Sequence, residues 1–261
     1  MLLATLVVAA LLAASCSDAH TLEEKERAEG ATDPRVVTVF QPPELIPALK
    51  ALAEAFSNDH PGVSFAFDDQ PSKAQLTRIQ QGATPALWID QANIIDPYAE
   101  DPRAQAPLFD LGADVLQFVV QTGNPKHIDT LQVFGPNGGP YPTAHTGLCK
   151  NGTRCANASA KLLVANKVDA TPTQRLDTLA LAPAVADGTL DAALVYRTSA
   201  APLGPKLTLV PLDPPTIGQV EFHMLRFTYS TSAAQFEAFL STDAAQAIML
   251  AQGLLPRVEE P

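Results

Sequence analysis

The chain has 261 residues, 46% of them apolar, and a net charge of −11 from 28 Asp and Glu against 17 Lys and Arg. That length supports a sizeable core in one large or two small domains. The acidic balance excludes nucleic acid and anionic lipid headgroups as main partners, but it leaves small ligands open, because a pocket can differ from the mean surface.

From Leu2 to Ala14 no residue is charged. The run is short of the ~20 apolar residues a spanning helix needs, and it fits the apolar region of a secretory signal. Ala13-Ala14-Ser15-Cys16 reads as a lipoprotein-processing site, with cleavage before Cys16 and lipidation of its thiol. The plainer alternative is an ordinary signal peptide with an incidental cysteine. Such signals usually open with Lys or Arg, and none precedes Cys16. Residues 1–16 are thus the expected leader. Residues 17–35, charged and without an apolar stripe, are expected to be a solvated tether.

Past the tether, strand-like and helix-like segments alternate. VVTVF at 36–40 predicts a buried strand. Pro42-Pro43 then opens a helix with Leu45, Ile46, Leu49, Leu52 and Phe56 on one face. A strand is predicted at 63–67, a helix at 72–81 closed by Gly82, and a strand at 86–90. This order is the signature of a parallel sheet. Further strands are predicted at 115–121, 191–198, 207–212 and 221–229, and helices at 156–168, 173–186, 232–240 and 242–252. The simplest arrangement is two α/β lobes, with residues 36–112 and 213–261 in the first and 113–212 in the second.

The segment GLCKNGTRC places Cys149 and Cys155 close together, and Cys16 is the third and last cysteine of the chain. In an exported protein such pairs tend to be oxidised. Zinc would need more ligands nearby, and a redox CxxC has two intervening residues rather than five. A structural disulfide is expected, contributing about 2–2.5 kcal/mol on the chain-entropy estimate.

Several segments together resemble the molybdate-binding family of ABC-importer substrate-binding proteins. They are VVTVF with the ELIPALKALAEAF helix and HPGVSFAF, then RIQQGATPALWIDQAN, TLDAALVYRTSA and AAQFEAFLSTDAAQAIMLAQGLLPR. Some members also carry Cys-x5-Cys before a helix. The resemblance covers essentially all of 36–257. It implies a two-lobed α/β periplasmic-binding-protein (type II) fold with two crossover segments. It also implies a ligand in the interlobe cleft, an ABC permease as partner, and a monomer anchored to the outer face of the cytoplasmic membrane. No cofactor or metal is expected.

The family holds a tetrahedral oxyanion with hydroxyls and with backbone N–H groups at helix starts, where orphan donors and the helix dipole favour an anion. Carried over, the resemblance assigns Ser72, Cys155 or Ala156, Thr178 and Tyr196 as ligand-binding residues. Bland readings stand beside each: Ser72 as a helix N-cap, Thr178 inside a helical run, Tyr196 as core. The first loop departs from the pattern, since Gln41-Pro42-Pro43 loses two donors. Asp68-Asp69 ends the second strand. A carboxylate about 6 Å from a dianion, at an effective dielectric of about 20, costs roughly 5 kcal/mol. Molybdate or tungstate is the first expected ligand. The alternative is a diverged pocket for another small solute, or a sensor or accessory role. An enzyme is not expected, because no G-x-S-x-G, H-E-x-x-H or P-loop occurs.

Overall fold

The computed structural model describes residues 35–68, 70–212 and 219–256. The expected leader, lipidation site and nearly all of the tether lie outside the described residues, as does Asp69.

The chain builds two five-stranded sheets with the same plan. The first comprises β1 (Val36–Phe40), β2 (Ser64–Asp68), β3 (Leu87–Gln91), β4 (Phe109–Asp114) and β10 (Val220–Arg226), in the order β2-β1-β3-β10-β4. The second comprises β5 (Leu116–Gln121), β6 (Thr146–Cys149), β7 (Gln174–Leu176), β8 (Ala192–Tyr196) and β9 (Leu207–Val210), in the order β7-β6-β8-β5-β9. In each sheet four strands run in one direction and the fifth, β10 or β5, is antiparallel to both its neighbours. That antiparallel strand is the first one laid down after the chain changes sheet. Only Val115 separates β4 from β5, so the first crossover is nearly continuous extended chain. The mixed α/β architecture is that of a two-lobed periplasmic binding protein.

Helices cover the sheets as their apolar spacing dictates. α1 (Ile46–Asp59) follows a short 3-10 turn at Pro43–Leu45 and buries Leu49, Leu52 and Phe56. Phe56 meets Phe236 and Phe239 of α7 (Thr231–Leu240) edge-on or tilted, so the C-terminal return closes the first core. α2 (Ser72–Gln80), the short α3 (Ala92–Ile95) and α8 (Asp243–Ala251) complete this lobe. Its partner carries α4 (Arg154–Ala165), α5 (Thr178–Ala186) and the short α6 (Arg197–Ala200). Gly147 sits where α5 presses on the sheet. A Cβ there would meet Leu190 Cδ1 at 2.4 Å and Leu181 Cδ2 at 2.7 Å, so no larger residue fits without repacking.

The structure adds two strands that the sequence pattern does not predict, β4 and β6, and it divides one expected helix. The helix expected over 173–186 divides into β7, Asp177 as N-cap, and α5 starting at Thr178. Thr178 is therefore at a helix start, not inside a helical run. The closing Gly-Leu-Leu-Pro segment has a positional role as well. Leu255 pairs with Ala113 through two backbone hydrogen bonds of 2.7 and 2.8 Å. Gly253, at φ +86°, passes so close to Arg197 that a Cβ would lie 2.5 Å from its carbonyl oxygen. The C-terminus thus seals the crossover.

Candidate ligand cleft

Loops at the carboxyl ends of the parallel strands face each other across the gap between the lobes, the usual place for a ligand in open α/β sheets. They enclose a cavity of about 530 Å³. The first lobe contributes Pro43 and Glu44 after β1, Pro71 to Lys73 after β2 with Leu76 beyond, and Ile94 after β3. The second contributes Gly152 to Cys155 at the start of α4 and Asp177 to Leu179 at the start of α5.

The second wall offers donors. In α4 the N-cap Thr153 accepts the Ala156 N–H through Oγ1 at 3.2 Å, and its carbonyl accepts the Asn157 N–H. The N–H groups of Arg154 and Cys155 lie ahead of any helical acceptor. In α5, Asp177 has no side-chain cap bond and the Ala180 N–H goes to the Asp177 carbonyl, which leaves Thr178 and Leu179 in the same position. Cys149 and Cys155 brace this wall, with Cα atoms 5.8 Å apart, within the range a disulfide spans. Thr178 Oγ1 lies 3.7 Å from Cys149 Sγ, so both helix starts touch the cysteine pair.

The first wall offers acceptors. Glu44 is 6% exposed and Asp90, the penultimate residue of β3, is fully buried. Arg154 reaches across the gap to both, with Nη2 2.5 Å from Asp90 Oδ1 and Nη1 4.0 Å from Glu44 Oε1. The guanidinium and the Asp90 carboxylate form a close ion pair. Asp90 Oδ1 also accepts the Gln91 N–H at 2.7 Å. Burial holds Glu44 above the ordinary carboxylate range, with Arg154 opposing. Asp90 is likewise raised by burial, opposed by Arg154, the Gln91 N–H and the Ser72 hydroxyl. Two buried carboxyls therefore share one guanidinium.

A larger cavity, about 780 Å³, lies on the other side of Arg154 and is lined by Tyr196, Asn93, Asn157 and Lys161 among others. Tyr196 ends β8 at 1% exposure, and its hydroxyl is buried without a hydrogen-bond partner. Burial first, then the negative charge of Glu44 and Asp114, pushes its phenol above the ordinary range. Asp114, at the crossover, is buried against the Thr198 hydroxyl at 2.5 Å and the Val115 N–H at 2.7 Å. Burial raises its pKa to about 7.

Of the residues assigned from sequence, Ser72, Cys155 and Thr178 line one cavity. Ala156 is beside it, with its N–H already taken by Thr153. Tyr196 is on the far side of Arg154. Ser72 is the first helical residue and not the cap, which is Pro71. Asp68 is absent from the lining, and its carboxylate takes Arg78 and the Gln70 N–H. Two acidic residues line the cavity, the buried Glu44 and the exposed Asp177, which pairs with Lys150 at 2.9 Å; sequence reasoning missed both, as it missed Arg154 and Asp90. One signal was available: Asp90 is a charge closing the apolar run Leu87-Trp88-Ile89. Among the described residues no group of three or more His, Cys, Asp or Glu is placed to hold a metal, and no helix is long and apolar enough to cross a membrane.

Known structures share this architecture. The periplasmic molybdate-binding protein of Azotobacter vinelandii superposes with a TM-score of 0.61 at 16% identity, covering 85% of this chain and 100% of that one. The sulfate-binding protein SubI of Mycobacterium tuberculosis gives 0.62 at 18% identity, covering 86% and 87%. An ABC-type phosphate transport receptor from Vibrio cholerae gives 0.55 at 16% identity, covering 85% and 100%. At such identities the likeness speaks for the fold alone. No curated protein matches by sequence. The family of bacterial extracellular solute-binding proteins matches residues 37–255, nearly all of the two lobes, and the chain belongs to that family.

Proposed function

We propose that this protein is the lipid-anchored, extracytoplasmic receptor of an ABC importer and that it carries a small anionic solute in the interlobe cleft to its permease. Cys16 is the anchor, Cys149 and Cys155 form a disulfide, and molybdate or tungstate is the first candidate ligand. The observation that supports the reading is the convergence of Ser72 with the open helix starts at Arg154–Cys155 and Thr178–Leu179 on one cavity. Calorimetry tests it: molybdate and tungstate should bind, with sulfate weaker because it is smaller. No heat with any of the three at millimolar concentration would remove the oxyanion assignment. Membrane partitioning tests the anchor, since Cys16→Ala should release the protein, and unchanged partitioning would count against lipidation.

A second reading, the same fold with a pocket turned to another small solute, is supported by Glu44. At about 6 Å and an effective dielectric of about 20, an ionised carboxylate repels a dianion by roughly 5 kcal/mol. That is more than a thousandfold in affinity.

A further inference from the structure

Glu44 is the buried acidic side chain of the cleft; Asp177, the other acidic residue of the lining, is exposed and paired with Lys150 at 2.9 Å. The Glu44 carboxyl borders the cavity at 6% exposure. Arg154 is shared between two carboxyls, with Asp90 at 2.5 Å and Glu44 at 4.0 Å, so the group of three keeps a net negative charge when both carboxyls are ionised. The buried position of Glu44 therefore asks for a cation or a strong hydrogen-bond donor, while Lys73 on the same wall is exposed. Across the gap, the starts of α4 and α5 ask for an anion.

Size and surface narrow the solute further. The cavity is about 530 Å³. A four-oxygen inorganic anion fills only about 100 Å³, three or four waters' worth. Much of the remainder is walled by Pro43, Leu76, Ile94 and Leu179, the apolar surface typical of sites for organic ligands.

We infer that the cleft takes a small organic zwitterion, its ammonium group seated on Glu44 and its carboxylate or phosphonate on the helix starts of the second lobe. This rests on the receptor reading and names the substrate class of that same site. Asp90 and Arg154 neutralise one another, so Glu44 is the residue that separates an amino-bearing anion from a bare one. The apolar walls receive the carbon chain between the two charged ends.

Paired ligands test it by calorimetry on the purified protein. 2-Aminoethylphosphonate is compared with ethylphosphonate, and β-alanine with propionate. Molybdate, sulfate and phosphate complete the set. At least one amino compound should bind about 10- to 100-fold tighter than its amine-free partner, the worth of one charge-assisted hydrogen bond. Glu44→Gln should erase that preference, with an unchanged unfolding midpoint or a raised one. Equal affinity within both pairs overturns the inference, and so does an inorganic anion that outbinds every amino compound. The latter result leaves the receptor reading standing. Absence of binding by every compound in the set defeats both. The wild-type preference within each pair stands as a test even where the variant folds poorly.

Discussion

The two walls of the cleft are braced in different chemical currencies. In the first lobe the loops after β1 and β2 are knitted by two buried amides, Gln75 and Gln41. Gln41 Nε2 donates to the Asp68 carbonyl at 2.8 Å. Gln75 Nε2 lies 3.0 Å from the Gln41 carbonyl and 2.9 Å from those of Asp68 and Gln70. In the second lobe the corresponding loop is held by Cys149 and Cys155. The walls differ in what they offer as well. The first has proline at both helix openings, Pro43 and Pro71, and borders the cavity with the Glu44 carboxyl. The second exposes helix starts. Two lobes of one topology thus give acceptors on one side and donors on the other, so the topology sets where a ligand lies and the loops set which end faces which wall.

Removing the bridge between the walls has the largest expected effect. Arg154→Ala leaves Asp90, fully buried, and Glu44 without a counter-charge. Breaking such a pair typically costs about 3–5 kcal/mol. Urea unfolding near pH 7 should register this, and Asp90→Asn in the same chain should recover part of it. A loss below about 1 kcal/mol would mean that the bridge does not persist in solution.

Asp114 belongs to neither wall and extends the comparison to the crossover. Its pKa rises from an ordinary 3.8 to about 7 in the fold. Between those values the folded protein keeps a proton that the unfolded chain has lost, so stability falls as pH rises from about 4 to 7. The full shift is worth roughly 4 kcal/mol. Asp114→Asn should flatten this segment of the stability–pH curve, and an unchanged slope would assign it to other groups.

The two braces come next. Gln75→Ala strips three loop carbonyls of their shared donor, and water reaching some of them limits the cost to about 2–3 kcal/mol. Cys149→Ser with Cys155→Ser should cost about 2–2.5 kcal/mol. Reductant should cost the wild type the same amount and leave the double variant unmoved. A linked peptide pair in non-reduced digests checks the bond itself, and free thiols at both positions would contradict it.

The parallel core was legible because strands such as Val36–Phe40 and Leu87–Gln91 are short apolar runs, and α1 keeps strict helical spacing from Leu45 to Phe56. The division of 173–186 was not, because Gln174–Leu176 is an edge strand of three residues, two of them exposed, and so carries no apolar signature. The cleft was half legible. Ser72, Cys155 and Thr178, which line the cavity, come from the family resemblance and not from periodicity, which puts Thr178 inside a helical run. Glu44 and Arg154 matter through each other, across 110 residues of chain, and no local pattern encodes that distance. The repulsion argument applied to Asp68 was sound as physics, but Arg78 draws that carboxylate away, and the argument belongs to Glu44.

The central claim is that the anionic end of the solute lies on the helix starts of the second lobe. Thr178→Pro addresses it most directly. Thr178 is the first helical residue and Asp177 before it is extended, φ −63° and ψ 148°, so proline is tolerated there and removes a single N–H. Affinity for molybdate and for 2-aminoethylphosphonate should be compared in wild type, Thr178→Ala and Thr178→Pro. The account predicts that proline weakens whichever of the two binds by about tenfold or more beyond alanine, with equal unfolding midpoints in the two variants. Equal affinity in the alanine and proline variants would place the anion elsewhere and contradict the account.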